Sequence, residues 1–166
     1  MKNKLDTPLS CVDIVEMMKD INERAERPFI VDKDIKASWN IEDIFKGKGH
    51  AILFHPHEGQ EYGHWVVLTR SHNKHNGKFD KDGTCFYFDS FGTMPYNKNI
   101  EKVVLKTYPE LYVNDKSYQK GDSMSCGRFC LLVVALNKLG YNPMQMEEIL
   151  KSMGKKINDF VIEKIR

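Results

Sequence analysis

Long hydrophobic runs are missing from this chain. The apolar stretch Leu131–Leu136 falls far short of the roughly 20 residues that cross a bilayer, so no membrane-spanning helix is expected. Charge of one sign is missing too: 25 Lys and Arg stand against 23 Asp and Glu, a net +2 too small to argue for nucleic acid as a required partner. Lys151, Lys155, Lys156, Lys164 and Arg166 near the C-terminus then read as a solvated face. No Cys-x-x-Cys pair occurs among the four cysteines, Cys11, Cys85, Cys126 and Cys130, which removes the usual zinc-ribbon spacing. Met1–Asp6 lacks the charged-then-apolar order of a secretion leader, so the cysteines are expected as free thiols in a reducing, intracellular compartment. Repeats and low-complexity tracts are absent, and 166 residues suit a single domain, 1–166, with its core at about 50–140.

What is present concentrates around one cysteine. Ser125 to Gly140 reads as a buried helix opening at Ser125 or Cys126 and closing at Gly140, with Lys138 in its last turn and the glycine as its stop. A thiol at a helix N-terminus meets unpaired backbone N–H groups and the positive end of the dipole, which favour the nucleophilic thiolate. The ordinary reading, a small buried cysteine, suits Cys130, one turn further on. It suits Cys126 less well, because Lys120–Ser125 before it has the composition of an exposed loop.

Two strands carry the next candidates. Tyr62–Thr69 begins at a turn and continues with β-branched and aromatic residues, which places His64 at a strand entrance. Thr84–Phe88 leads into Asp89 and the turn-like Ser90–Gly92. If the polar stretch 71–83 joins them as a hairpin, the start of the first strand lies beside the end of the second. His64 and Asp89 would then meet. Taken singly, each has a plainer reading, a surface histidine and a turn aspartate. Gln119, seven residues before Cys126, could add a side-chain amide to the nucleophile's own N–H as an oxyanion donor.

Elsewhere, Ser10 is expected to cap a helix running to about Arg24, with a short helix at Ile41–Phe45 and a strand at His50–Phe54. A helix from Asn99 should stop at Tyr108 before Pro109, a strand should follow at Leu111–Val113, and two last helices, Pro143–Met153 and Lys156–Lys164, should be split by Gly154. The expected class is α+β, a small, mainly antiparallel sheet packed against a central helix with Cys126 at its N-terminus, plus flanking helices.

Gly63-His64-Trp65, Asp89-Ser90-Phe91-Gly92, Gln119 and Ser125-Cys126-Gly127-Arg128-Phe129-Cys130 together resemble the adenovirus-type (adenain) cysteine endopeptidases and the related SUMO-protease superfamily. The resemblance covers roughly residues 50 to 140, and its spacing from Gln119 to Cys126 is closer to the adenovirus-type branch. It implies Cys126 as nucleophile, His64 as general base and acid, Asp89 as orienting carboxylate and Gln119 as oxyanion donor, without metal or cofactor. It also implies that Trp65 roofs a narrow cleft, so that cleavage follows a glycine-containing, extended segment of a protein substrate. The alternative for Trp65 is an ordinary core aromatic. Asp89 stands where adenovirus enzymes commonly carry Glu, and the segment between His64 and Asp89 is longer than in that branch.

The implied task is processing of viral or virus-like precursor (capsid) proteins, in the host cytoplasm and the virion. Removal of a ubiquitin-like modifier is the rival within the same chemistry. A zinc-binding interaction module, using His55, His57, His72, His75, Cys126 and Cys130, is the rival outside it. An activating peptide is an open partner class: Cys11 or Cys85 could tether one, against the plainer reading that both are buried.

Overall fold

The computed structural model describes residues 8–10, 13, 14, 16, 17, 29–56, 63–71, 78–80, 83–114, 116–119, 124–153 and 156–164. Five strands lie in the order of the chain: β1 (Phe29–Val31), β2 (His50–Pro56), β3 (Gly63–Thr69), β4 (Cys85–Phe88) and β5 (Leu111–Val113). Among the described residues, the α-helices with both ends defined are α1 (Ile41–Phe45), α2 (Asn99–Leu105), α3 (Cys126–Lys138), α4 (Pro143–Met153) and α5 (Lys156–Lys164). The class is α+β, but the sheet is mixed instead of mainly antiparallel. β2–β3 and β3–β4 pair antiparallel, while β1–β2 and β4–β5 pair parallel. The physical reason is connection length. Antiparallel neighbours can be joined by a hairpin, whereas β1 reaches β2 through α1 and β4 reaches β5 through α2.

Alternation along the three central strands builds a core on each face. Ile52, Phe54, Trp65, Val67, Phe86 and Phe88 point to one side, against Phe129, Val133 and Val134 of α3, Met146 and Leu150 of α4 and Ile157 of α5. Ala51, Leu53, Val66, Leu68, Cys85 and Tyr87 point to the other, against Ile41, Ile44 and Phe45 of α1 and Ile100, Val103 and Val104 of α2. Burial of both faces explains why these strands read as nearly continuous apolar runs. The sheet is thus sandwiched between helical layers, with α3 on the face that carries Trp65.

The element boundaries follow local chemistry. Asn40 caps α1 by accepting from the N–H groups of Glu42 (3.1 Å) and Asp43 (3.2 Å), while the Asp43 carboxylate takes the Asn40 N–H in return (2.8 Å). α2 ends at Leu105, earlier than the expected Tyr108, although Tyr108 N–H still bonds to the Val104 carbonyl at 2.9 Å in a closing turn. Gly140, at φ +92, follows α3 in the left-handed region that glycine adopts without strain. The Ser10 hydroxyl accepts the Asp13 N–H at 3.2 Å, as an N-cap should, and Asp13, Ile14, Glu16 and Met17 are helical. The rest of the expected helix to Arg24, Cys11, the loop residues 72–77, 81, 82 and 120–123, and Gly154 lie outside the described residues.

One close approach sets the strand entrance. A methyl group on Gly63 would sit 2.2 Å from the His55 carbonyl oxygen and 2.8 Å from both the Phe54 ring and Pro56 Cα. Only glycine lets β2 and β3 stay paired up to the residue before His64. Gly63→Ala should therefore cost about 1–3 kcal/mol through overpacking, read as a lower urea midpoint at unchanged m-value. A midpoint equal to that of the wild type would show that the strands have room to part there.

Candidate active site

β3 delivers His64 and β4 delivers Asp89 to the same end of the sheet. Val67 pairs with Phe88 across the ladder, so the chain leaving β4 runs back alongside the entrance of β3. The imidazole Nε2–H donates to Asp89 Oδ1 at 2.8 Å, and both residues are buried. With Nε2 engaged, Nδ1 is the ring nitrogen left for other partners, and Cys126 lies close enough to the imidazole to raise its pKa. Cys126 opens α3 as its first residue. The expected Cys126, His64 and Asp89 are brought into one chain of contacts.

Asp89 is anchored from several sides. Its backbone is clasped by Asn114: the Asp89 N–H donates to Asn114 Oδ1 (2.9 Å) and Asn114 Nδ2 donates to the Asp89 carbonyl (2.7 Å). Its carboxylate also accepts the Phe91 N–H at 2.8 Å on Oδ1 and the Thr93 hydroxyl on Oδ2. Burial alone would raise the carboxyl pKa, yet the bond and charge of His64, with Thr93 and Phe91, hold it below the ordinary value. For His64, burial alone would lower the pKa, but the bonds to Asp89 and to Cys126 outweigh it and raise the imidazole from 6.5 to about 9. The pair is built to carry a proton on the ring, and a charged ring is what a neighbouring thiolate would need.

Gln119 enters from the loop after β5. Its N–H donates to the Ser90 carbonyl at 3.0 Å, and the Ser90 hydroxyl donates to Gln119 Oε1 at 2.5 Å. Because Oε1 accepts that proton, the orientation of the amide is fixed and its NH₂ group becomes the end that can donate elsewhere. Ser90 follows Asp89 directly, so one short turn orients both the carboxylate and the amide.

At the start of α3, Ser125 occupies the N-cap position but turns its hydroxyl to Asn158 Oδ1 (2.8 Å) instead of the helix amides. The helix start thus has no Ser125 side-chain cap, and a charged group at Cys126 would sit against its N–H groups. Gly127 makes a close approach possible here: a methyl on it would lie 3.0 Å from the Leu9 side chain and 3.2 Å from the Trp65 ring.

Trp65 is placed differently from the cleft roof expected of it. It is 0% exposed, packs on Phe54 (centroids 4.4 Å) and Phe29 (5.4 Å), and donates its indole N–H to the Leu9 carbonyl at 2.9 Å. The reason is strand alternation: His64 faces the site, and its neighbour turns into the core beneath α3. In this structure Trp65 supports the helix start and offers no surface to a peptide. The other described thiols are inert by position. Burial pushes the thiols of Cys85 and Cys130 well up. Among the ligand types named for zinc, His55 is engaged by Asp32 (Nδ1 to Oδ2, 2.8 Å) and Cys126 by His64, while His57, His72 and His75 lie outside the described residues.

Asn114 and Thr93 support the site without having been singled out from the sequence, and Ser90 and Phe91 had been named only as part of a turn and motif. Each is a polar or aromatic loop residue whose partner lies elsewhere in the chain or in a turn. Only the Asp-Ser-Phe-Gly turn itself, with its Asx-type bond from Asp89 to the Phe91 N–H, carried a local signal.

Comparison with solved structures identifies the fold. A selenomethionine crystal structure of the ASFV pS273R protease matches with a TM-score of 0.61 at 14% identity, over 98% of this chain and 68% of the protease chain. A second crystal structure of the same protease gives 0.57 at 13% identity, over 99% and 70%. At that identity the likeness is one of fold. No family model matches the chain, and no curated protein matches it in sequence.

The raised His64 pKa has a consequence for stability. A group whose pKa is higher folded than unfolded stabilises fully below the unfolded value and loses that contribution as pH rises through the folded one. Stability from His64 should therefore be whole below pH 6.5 and drain away as pH climbs through about 9. Thermal unfolding midpoints should fall over that window in the wild type and much less in His64→Gln. An identical decline in both proteins would assign the pH dependence to other groups.

Proposed function

We propose that this protein is a cysteine endopeptidase in which Cys126 is the nucleophile, His64 the general base and acid, Asp89 the orienting carboxylate and Gln119 an oxyanion donor. The observation that carries the reading is the buried His64–Asp89 bond beside Cys126, the first residue of a helix. It occurs in the fold of a protease, the ASFV pS273R protease. The same order of residues prompted the resemblance to the adenovirus-type and SUMO-protease superfamily.

The steps follow from the geometry. The Cys126 thiolate, paired with the His64 imidazolium, attacks the scissile carbonyl carbon. The carbonyl oxygen gains charge, which the Cys126 backbone N–H and the Gln119 amide stabilise. The imidazolium, kept in orientation by Asp89, gives its proton to the leaving amine. Water, deprotonated by the now neutral His64, then hydrolyses the acyl-enzyme. No metal or cofactor is required by this sequence of events.

For substrate, we propose an extended protein segment with glycine before the cut. Trp65 lends this no support from the core. Access does: Cys126 is 8% exposed and His64 5%, so a peptide must come close, and glycine lets its backbone do so. Processing of a viral or virus-like precursor, such as a capsid protein, is the assignment we favour, inside the host cell and in the virion. Trimming of a ubiquitin-like tail would use the same atoms.

The test combines labelling with kinetics. Limiting iodoacetamide should modify Cys126 ahead of Cys85 and Cys130, and peptide hydrolysis should fall in proportion. Cys126→Ala should abolish turnover, and Gln119→Ala should lower kcat by about 10²–10³-fold with a smaller change in KM. Full hydrolysis by Cys126→Ala would end the protease reading.

A further inference from the structure

The loop after Asp89 carries two exposed apolar side chains that the chemistry leaves unexplained. Met94 is 64% exposed and Tyr96 50% exposed, on either side of Pro95. Tyr96 is nevertheless held in place. Its ring stacks on His55 with centroids 4.0 Å apart and planes within 9°. His55 is itself tied at 2.8 Å to the buried Asp32. Thr93, three residues earlier in the same loop, donates its hydroxyl to the Asp89 carboxylate. The next residue, Asn97, is pinned by donating to the carbonyls of Asp32 (2.8 Å) and Ile35 (3.0 Å). An exposed aromatic ring fixed from several directions is preorganised for contact, because little side-chain entropy remains to be lost when something packs on it.

Its position says what that contact would be. Tyr96 meets the His64 ring edge-to-face at 6.1 Å, and Phe91 lies 5.3 Å from the same ring. His64 must deliver its proton to the leaving amine, so the amine has to sit at His64. The chain attached to that amine, which begins with the residue after the scissile bond, then passes along the loop that surrounds the imidazole. Cys126 and Gln119 serve the acyl side.

We propose that Tyr96 and Met94 form a subsite for a large apolar side chain, aromatic or long aliphatic, on the residue that follows the scissile bond. This deepens the protease reading and rests on it. Tyr96 supplies a ring face for stacking, and Met94 supplies a flexible, polarisable side chain that can adapt to several shapes. A charged residue at the same point would lose hydration against these side chains and gain no partner from them.

Two substrate series separate this inference from the protease reading. In the first, an extended Gly-Gly peptide is continued after the cut by Phe, Leu, Gly or Asp. In the second, the same peptide ends at the cut as its methyl ester, which has nothing to place on Tyr96. The wild type should favour Phe and Leu over Gly and Asp by about tenfold in kcat/KM, the scale of a good aromatic contact. Tyr96→Ala should collapse that ratio and affect the ester far less, while Tyr96→Phe should retain it. A flat wild-type profile, or equal losses on both series in Tyr96→Ala, would overturn the subsite and leave the protease reading intact. Hydrolysis of neither series by the wild type would overturn both.

Discussion

A single buried hydrogen bond, from His64 Nε2–H to Asp89 Oδ1, sets the terms for everything around it. Burying an imidazole and a carboxylate together is costly unless every polar atom finds a partner. The surroundings meet that condition locally. Phe91 and Thr93 bond to the carboxylate, and Asn114 clasps the Asp89 backbone. Hydrogen bonds to charged groups contribute roughly 1.5–3 kcal/mol each, so this shell offsets a substantial desolvation cost. It also engages Nε2 of the ring and leaves Nδ1 for other partners.

That constraint propagates outward through backbone. The turn that supplies the Phe91 N–H also carries Ser90, whose carbonyl and hydroxyl hold both the main chain and the side chain of Gln119. On the opposite side, α3 approaches because Gly127 has no side chain to keep Leu9 and Trp65 away. Trp65 therefore matters to the site through packing, as the floor on which the helix that carries Cys126 rests. Preorganisation here comes from core and loop acting together, in the way that precise sites are generally held by packed side chains and supporting hydrogen bonds.

The parts legible in the sequence were those with local or periodic signals. α1, α4 and α5 stand at the ranges expected for them, and α3 begins at Cys126, one of its two expected starts. The meeting of His64 with Asp89 followed from reading two strands and a hairpin. β1 was not legible: Phe29–Val31 is three residues long and earns its place only by parallel pairing with Ile52–Phe54, far along the chain. The parallel β4–β5 pairing was missed for the same reason, and with it the mixed character of the sheet. Asn114 and Thr93 look like ordinary loop residues until Asp89 is folded against them. The role expected of Trp65 came from resemblance, and strand alternation overrode it once the core on the α3 face was in place.

The central claim is that Asp89 and His64 work as one device on Cys126. A double-mutant cycle on kcat/KM, comparing the wild type with His64→Ala, Asp89→Ala and the double variant on one Gly-Gly peptide, tests it most directly. If Asp89 acts through His64, removing it after His64 is gone should change the rate by little, and the double variant should match His64→Ala. Losses that multiply, with the double variant slower by the product of the two single effects, would show two independent contributions and contradict the account.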